Sequence, residues 1–336
     1  MKLTIKDIAK MAGVSTTTVS LILNNKGDRF NEQTVKKVLD IVQEHNYQPN
    51  FFAQNMVTKK TKTVGVIVPD IKDYFFNQLF EGIESFLTDK GYGVILYRTS
   101  HFREREVEAL QFMQSRQVSG IIFATPYLLE VSEYKKICDN VPFILLDRGL
   151  LERETGKFYV DEYSGMCDLI EYLLAKGHSK IAFIKENKDY YQLTERTDAY
   201  YDVLNKNSVP INEDLIIETD LSVEGGFEAM QSLLNIKDKF SAVVCTNDYL
   251  AVGAYLAIEK KGYKIPNDIS VVGFDDIEIS SYLTPSLTTV SQPIFDMGSE
   301  VANCLYQAIE KETQPKENKI FTPKLVERNS VRTLEL

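Results

Sequence analysis

Hydrophobic and polar positions alternate in two different ways along the chain. In the first fifty residues, apolar side chains recur at helical spacing in three short segments, each preceded by a residue that can cap a helix. From residue 62 onward, short apolar runs alternate with amphipathic stretches. The first pattern predicts three short helices, and the second predicts parallel strands connected by helices.

The first two helices are predicted from their capping residues. Thr4 and Asp7 have the spacing of a capping box, so the first helix should begin at about residue 5. Gly13 should end it, because glycine turns the chain at positive φ without strain. Ser15 is a favourable N-cap for the second helix.

A third helix should begin after Asn31 and end near residue 46. Its buried stripe is predicted to be Val35, Val38, Leu39 and Val42. Two short helices joined by a turn that contains glycine, followed by a third helix, indicate a helix-turn-helix.

The second helix is unusually rich in hydroxyl groups. Val19, Ile22 and Leu23 should face inward, and the outward face is then Thr16, Thr17, Ser20 and Leu21. Short hydroxyl side chains at the start of a recognition helix can bond phosphates or base edges and contact thymine methyl groups. On the helical pattern alone, a three-helix bundle with surface threonines is an equal alternative.

Charge is distributed unevenly along the chain. The whole chain carries a net charge of −10, whereas residues 1–62 hold ten Lys and Arg against five Asp and Glu. A segment of net +5 therefore precedes a segment of net −15. This asymmetry indicates that the N-terminal segment alone approaches a polyanion, although chance clustering of charge is the alternative.

Seven apolar segments after residue 62 predict strands, and the segments near 75–90, 103–117 and 130–140 predict helices between them. The strand segments are TVGVIVPD, YGVILYRT, GIIFATP, PFILLD, KIAFIKE, AVVCTND and ISVVGFDD. They fall into two groups and predict two doubly wound lobes, in which ligands bind beyond the carboxyl ends of the strands.

Nearly every predicted strand ends in a polar side chain. These residues are Asp70, Thr99, Thr125, Asp147, Arg148, Asp161, Glu162, Asn247, Asp248, Asp275 and Asp276. With the nearby aromatic residues Tyr74, Phe75 and Phe76, they suit a polyhydroxylated ligand, since carboxylates and amides pair with hydroxyl groups. For any single strand end, capping of the following helix is an equal alternative.

Several stretches together resemble the lactose/galactose-repressor (LacI/GalR) family of transcription regulators. They are TIKDIAKMAGVSTTTVSLILNN and TVKKVLDIVQEHNYQPNFFAQNM in the N-terminal part, and DRGL, LLAKGHSKIAFI, CTNDYLAVGAYLAIEKKGYKIPNDISVVGFDD and TPSLTTVSQPIFDMG in the rest. The resemblance implies an all-α helix-turn-helix followed by an α/β effector domain of two doubly wound, periplasmic-binding-protein-like lobes. The implied boundaries are residues 1–48 for the helix-turn-helix, 49–61 for a hinge helix and linker, 62–161 with 291–320 for the first lobe, and 162–290 with 321–336 for the second.

The resemblance also assigns DNA contacts. They are Thr4, Ser15, Thr16, Thr17, Thr18, Ser20, Leu21, Asn24, Asn50, Ala53 and Met56. Met56 holds the position of an apolar residue that wedges into the minor groove, where the family usually has leucine. Leu21 stands where the family usually has an arginine that reads guanine, so the preferred half-site should differ.

The effector contacts that the resemblance implies come from both lobes. They are Tyr74, Phe75, Asp147, Arg196, Leu221, Asn247, Asp275 and Gln292. Arg196 matches an arginine that usually grips ligand hydroxyls or a carboxylate. Leu221 holds a position often occupied by an aromatic residue that stacks on the ligand.

The function implied is that of a DNA-binding regulator, most simply a repressor, whose homodimer binds a pseudo-palindromic double-stranded operator. A small-molecule effector between the lobes would control it, with a sugar or sugar derivative ranked first. A catabolite-control regulator with a phosphocarrier protein partner, and a purine- or nucleoside-responsive repressor, are the alternatives within the family.

Other classes of protein are less consistent with the sequence. The chain shows no P-loop, no nucleophile elbow, no dinucleotide-binding glycine motif and no metal-like cluster of cysteine and histidine, so we expect no enzyme activity, cofactor or metal. A solute-binding protein is disfavoured by the basic head and by an N-terminus that does not read as a secretion signal. We expect a cytoplasmic protein with no membrane partner.

Overall fold

The computed structural model describes residues 3–23, 27–47, 61–100, 102–124, 131–138, 141–146, 157–187, 191–237 and 239–334. Contacts between Cα atoms divide the chain into two compact units, Met1–Thr61 and Lys62–Leu336. We call the first the head and the second the body.

The described part of the head contains three α-helices: α1 (Ile5–Ala12), α2 (Thr16–Leu23) and α3 (Glu32–Glu44). They share one small apolar core, formed by Ile8, Ala9, Ala12, Val19, Ile22, Val38 and Tyr47. Each helix contributes one stripe of this core, as amphipathic helices do. The three helices predicted from the sequence are confirmed.

The capping residues of the head act as the sequence predicts. The Thr4 backbone N–H donates to Asp7 Oδ2 at 2.8 Å, which makes one arm of a capping box. Gly13 follows α1 with a φ of 72°, where a side chain would be strained. Asn31 caps α3 by accepting the backbone N–H of Gln33 at 2.7 Å.

One predicted core residue of the head is wrong. Leu39 is 45% exposed, although Val38 beside it is fully buried. The axis of the buried stripe runs through Val38 and the half-buried Val35 and Val42, and Leu39 lies one residue, about 100°, beyond Val38 on the helix surface. It therefore falls at the solvent edge of the stripe.

The first lobe of the body is built on a parallel sheet of four strands. In chain order its elements are β1 (Thr63–Val68), α4 (Tyr74–Asp89), β2 (Gly93–Arg98), α5 (Arg103–Ser115), β3 (Gly120–Phe123), α6 (Val131–Cys138) and β4 (Phe143–Leu145). The spatial order of the strands is β2-β1-β3-β4, with Val64 opposite Val94 on one side and Gly120 on the other. Helices cover both faces, as a parallel sheet requires.

The second lobe repeats this arrangement. After β5 (Lys157–Val160), which lies outside both four-stranded sheets, come α7 (Glu162–Ala175), β6 (Ile181–Glu186), α8 (Tyr191–Lys206), β7 (Ile216–Thr219), α9 (Val223–Asn235), β8 (Ala242–Cys245), α10 (Asp248–Lys260), β9 (Ser270–Val272) and the short helix α11 (Ile279–Tyr282). The strands again form a parallel sheet, in the order β7-β6-β8-β9. The predicted fold class, a helical head and two parallel-sheet lobes, is confirmed.

The chain passes between the lobes in three places. The remaining elements are β10 (Thr289–Ser291), α12 (Ile294–Lys311), β11 (Asn318–Phe321) and β12 (Lys324–Val326). Strand β11 pairs in parallel with β5, and their buried residues Phe321 and Phe158 join the core of the first lobe. Strand β10 pairs in antiparallel fashion with β12, and Val290 joins the core of the second lobe. These paired crossings bring the carboxyl ends of both sheets into one body.

The loop after β9 has a special backbone. Asp275 and Asp276 have φ angles of 109° and 53°, which non-glycine residues rarely adopt. Gly273 precedes them, and a Cβ atom there would collide with the Asp248 carboxylate. The loop therefore leaves the sheet in a conformation that this local sequence would not choose alone. Among the helices described, none is long and apolar enough to cross a membrane.

Candidate nucleic-acid interface and ligand cleft

The first turn of α2 presents hydroxyl groups to solvent. Thr16 and Thr17 are exposed, whereas Ser15 and Thr18 interact with each other. Ser15 Oγ accepts the Thr18 backbone N–H at 3.1 Å and lies 2.9 Å from Thr18 Oγ1. Ser15 is therefore the N-cap of α2, and Thr16 and Thr17 are the outward hydroxyls of its first turn.

The other predicted DNA contacts differ in their surroundings. Ser20 and Leu21 are half-buried on α2. The Thr4 hydroxyl donates to Asp7 at 2.7 Å, and this hydrogen bond lowers the pKa of Asp7. Four predicted contacts lie outside the described residues: Asn24, Asn50, Ala53 and Met56.

In the body, Arg196 on α8 is the centre of a buried polar cluster. Its Nε donates to Glu162 Oε2 at 2.7 Å and its Nη2 to Glu162 Oε1 at 2.8 Å. Nη2 also donates to Asp275 Oδ1 at 3.2 Å, and Nη1 to the carbonyl oxygen of Thr246. The guanidinium carbon lies 4.0 Å from the centroid of the Phe274 ring. We call Glu162, Arg196, Asp275 and Gln292 the Arg196 cluster.

Both partners of the main ion pair are withdrawn from water. The side chains of Arg196 and Glu162 are 6% and 5% exposed. Burial alone would lower the pKa of Arg196, but the Glu162 and Asp275 carboxylates outweigh it and raise this pKa. The arginine therefore stays charged, and its charge is matched inside the protein.

Asp275 connects the arginine to the first crossing between the lobes. Its Oδ1 accepts the Gln292 amide at 2.6 Å, just after β10. Burial raises the pKa of Asp275 well above its ordinary value, against the lowering effect of Arg196. The strained φ of Asp275 thus aims its carboxylate at two donors from different elements.

The first lobe contributes the opposite wall. Asp73 caps α4 by accepting the Phe75 backbone N–H at 2.9 Å, and burial raises its pKa although Arg196 acts to lower it. Burial also raises the pKa of Tyr74, followed by the carboxylates of Asp276 and Glu278. Charges of the second lobe therefore act on side chains of the first, and the start of α4 faces the Arg196 cluster across a cleft.

Asp248 fixes the loop that carries Asp275. Its Oδ2 accepts the Ile277 N–H at 3.0 Å and the Ser280 hydroxyl at 2.6 Å, and its Oδ1 accepts the Thr289 hydroxyl at 2.6 Å. Burial raises the pKa of Asp248 to about 7, against the lowering effect of these hydrogen bonds. This carboxylate holds the loop, α11 and β10 together behind the cleft.

The remaining predicted effector contacts have structural partners of their own. Asn247 is buried and caps α10 by accepting the Leu250 N–H at 3.0 Å. Leu221 packs against the core of the second lobe. Phe75 packs against the core of the first lobe and meets Phe76 edge to face at 5.2 Å. Asp147 lies outside the described residues.

Sequence reasoning did not identify Asp73 or Tyr249 as cleft residues, nor Glu162 as the partner of Arg196. Burial, followed by the charges of Asp73 and Asp275, raises the pKa of Tyr249, so its hydroxyl is near both lobes. A signal for the ion pair was present, because Arg196 shares a helical stripe with the buried Ala199 and Tyr200. An arginine on the buried face of a helix needs an internal carboxylate.

The cluster is suited to binding hydroxyl groups. Carboxylate and amide oxygens accept hydrogen bonds from them, and the aromatic side chains at the start of α4 offer apolar surface. In the part of the chain that the structure describes, no group of three or more His, Cys, Asp or Glu residues is arranged to hold a metal ion.

Comparison with known proteins agrees with both parts of the chain. Residues 4–50 match the family model described as bacterial regulatory proteins, lacI family, and residues 170–331 match that of a periplasmic binding protein-like domain. The HTH-type transcriptional repressor PurR of Vibrio atlanticus (strain LGP32) is 33% identical over 98% of this chain and 99% of its own length. The chain belongs to the lacI family.

Other members of the lacI family align just as extensively. The HTH-type transcriptional regulator RegA of Clostridium saccharobutylicum is 35% identical over 98% of this chain and 99% of its own. Catabolite control protein A of Priestia megaterium is 32% identical over 93% of this chain and 94% of its own. The protein is thus a DNA-binding transcriptional regulator, and the resemblance read from the sequence is confirmed.

Solved structures of the lacI family superpose on the model. The lac repressor dimer bound to operator and the anti-inducer ONPF has a TM-score of 0.87 at 28% identity, covering 99% of this chain and 100% of that one. A LacI family regulator from Enterococcus faecium with bound ribose has a TM-score of 0.73 at 29% identity, covering 81% of this chain and all of its own.

Proposed function

We propose that this protein is a repressor that binds a pseudo-palindromic operator as a homodimer and releases or tightens its grip when a hydroxylated small molecule occupies the cleft. The observation that carries the proposal is the Arg196 cluster, since it joins α8, the loop after β9 and the crossing at Gln292 with direct hydrogen bonds. A ligand that bonds to this cluster contacts the elements whose relative position decides whether the lobes are open or closed.

The head supports the DNA-binding half of the proposal. Thr16 and Thr17 are exposed on the first turn of α2, which is the part of a recognition helix that enters the major groove. Leu21 has no hydrogen-bonding group, so it offers the bases an apolar contact such as one to a thymine methyl group. We assign Thr16, Thr17 and Leu21 to base or phosphate contact, and Ser15 and Thr18 to shaping the turn.

The cleft supports control by an uncharged sugar or sugar derivative. Asp275, Gln292 and Tyr249 provide acceptors and a hydroxyl on one side, and Tyr74 provides a ring on the other. Such a mixture of carboxylate, amide and aromatic groups matches a carbohydrate better than a flat purine, which would need a stacking surface on both faces. The position of Leu221 against the core removes one such surface.

We further propose that a second copy of the chain covers exposed apolar residues on the second lobe. Tyr282 and Ile279 on α11 are 70% and 43% exposed, and Leu256 on α10 is 48% exposed. The lac repressor, whose structure is similar, is a dimer on its operator. Sedimentation of the full chain should show a single species of twice the 38.3 kDa chain mass; a monomer would contradict a pseudo-palindromic operator.

The lobe boundaries follow from the crossings of the chain. We place them after residue 161, between β10 and α12, and between β11 and β12, because core contacts change lobe at these points. We infer that the protein is not an enzyme and acts in the cytoplasm, where its DNA target is. A solute-binding role without DNA would leave the exposed threonines of α2 unexplained.

Selection of random duplexes by the full-length protein tests the proposal. We expect enrichment of a pseudo-palindrome whose half-sites are about 34 Å apart. A sugar that stabilises the protein should then change the affinity for that duplex. Enrichment of no sequence would refute the regulator, and a saturating sugar without effect on DNA affinity would refute the control.

A further inference from the structure

The cleft contains more carboxylates than cations. Arg196 is matched by two of them, Glu162 and Asp275, and Asp73 from the first lobe acts on the same guanidinium. A second cation, Arg328, is already paired with Asp276 at 2.6 Å. Since each of these cations has its own carboxylate, the excess charge at the cleft is negative.

Arg196 has little left to offer a ligand. A guanidinium carries five N–H groups, and the described contacts to Glu162, Asp275 and Thr246 use four of them. One face of the group is covered by Phe274. Arginine binds phosphate and carboxylate best through two parallel N–H donors, and the single N–H that remains cannot make that fork.

The cluster instead has acceptors to satisfy. Gln292 is 7% exposed, and its amide nitrogen is held by Asp275. Its Oε1 accepts no hydrogen bond from any residue that the structure describes. The amide cannot be turned around, because Oε1 would then face the Asp275 carboxylate. A buried acceptor without a donor is costly, so a donor from the ligand at Gln292 Oε1 would be stabilising.

We propose that the cleft accepts hydroxylated effectors without negative charge and rejects the phosphorylated or carboxylated forms of the same molecules. This inference rests on the proposed function, because it concerns the ligand of the same cleft. Hydroxyl groups donate to Gln292 and Asp275. An anion would lose its hydration next to an excess of carboxylates and find no arginine fork in exchange.

The test measures binding of paired probes to the full-length protein by calorimetry at constant ionic strength. The pairs are ribose with ribose 5-phosphate, glucose with glucose 6-phosphate and with gluconate, and adenosine with its 5′-monophosphate. Any pair that binds should do so through its uncharged member, with the anion at least tenfold weaker. An anion that binds as tightly as its uncharged partner, or more tightly, would overturn the inference.

Two variants test the physical cause. Asp73→Asn removes a carboxylate from the cleft but keeps an N-cap for α4. Glu162→Gln removes a second carboxylate and frees Arg196 donors. Each should narrow the preference for the uncharged member by about tenfold, roughly the effect of one nearby charge, whereas Glu224→Gln, at an exposed position on α9, should leave it unchanged.

A preference that is the same in Asp73→Asn as in the wild type would overturn the assigned cause, even where Glu162→Gln fails to fold. The outcome is separable from that of the proposed function, since calorimetry needs no DNA. Tight binding of an anion that still changes operator affinity would sink this inference and leave the regulator intact.

Discussion

The outer face of α2 and the Arg196 cluster both consist of polar side chains, but their partners differ. On α2 the hydroxyls of Thr16 and Thr17 are exposed, and the helix is held by the apolar residues behind them. In the cluster, Arg196 and Glu162 are buried and bonded to each other across 34 positions of sequence. Polar groups that await a partner are therefore on the surface of the head, and those that have found one are inside the body.

This difference predicts opposite responses to mutation. A change on the outer face of α2 should alter recognition and leave stability nearly untouched. A change in the Arg196 cluster should alter stability first, because it leaves a buried charge without its counter-ion. Four substitutions test the comparison in order of decreasing effect.

Arg196→Ala should have the largest effect. Glu162 and Asp275 would remain buried without their cation, and breaking a buried pair in this way costs about 3–5 kcal/mol. Urea unfolding of the full-length protein should show this loss in the transition of the body. Arg98→Ala is the matched control, since its pair with Asp70 is exposed at 3.4 Å and is worth at most about 1 kcal/mol. Equal losses in the two variants would contradict the burial argument.

Leu21→Arg should change which sequence the head prefers. An arginine at this position can make a bidentate contact with guanine, worth about 1–3 kcal/mol of discrimination. Competition between duplexes that differ by guanine at one half-site position measures the shift. Leu21→Met keeps an apolar contact and should retain the wild-type preference. If Leu21→Arg also retains it, residue 21 does not face the bases.

Asp248→Asn should change how stability depends on pH. Burial raises the pKa of Asp248 to about 7, so between about pH 4 and pH 7 the folded state binds a proton that the unfolded chain has lost. Rising pH therefore removes stability from the wild type in this window. The Asn variant lacks this loss and should gain on the wild type by roughly 1 kcal/mol per pH unit up to about pH 7.

Urea unfolding at pH 5, 6, 7 and 8 measures the difference between the two proteins. Asp198→Asn, at an exposed position on α8, should give a curve parallel to the wild type. Parallel curves for Asp248→Asn as well would mean that Asp248 is ionised throughout the window.

Thr17→Ala should have the smallest effect on stability. The side chain is exposed within a helix, so the free energy of unfolding of the head should change by no more than about 0.5 kcal/mol. Affinity for the selected operator should nevertheless fall, as measured by fluorescence anisotropy. Glu44→Gln, exposed near the end of α3, should change neither quantity. A large loss of stability in Thr17→Ala would place this side chain in the packing of the head.

The two regions also differed in how well the sequence predicted them. Caps at Ser15 and Asn31, and the turn at Gly13, act within a few residues of chain, so their structural roles could be read directly. The long apolar strands were equally clear. The short strands β5, β7 and β10–β12 were missed, because segments of three or four residues carry little periodicity and their pairing is decided by distant chain.

The cleft was predicted only in part for the same reason. The positions of Arg196, Asp275 and Gln292 were identified through the family resemblance, but the carboxylate that neutralises Arg196 was not. Glu162 stands at the end of a short strand that the pattern did not reveal, and Asp73 stands beyond a loop after β1. Their proximity to Arg196 arises from the packing of two lobes, which no local pattern encodes.

The most direct test of the account is the affinity of the full-length protein for its selected operator, measured by anisotropy with and without a saturating uncharged sugar that binds the cleft. The account predicts sequence-selective binding whose affinity the sugar changes about 5- to 150-fold, the usual range of coupling between two sites. The same affinity with and without the sugar, while calorimetry shows the cleft to be occupied, would contradict it.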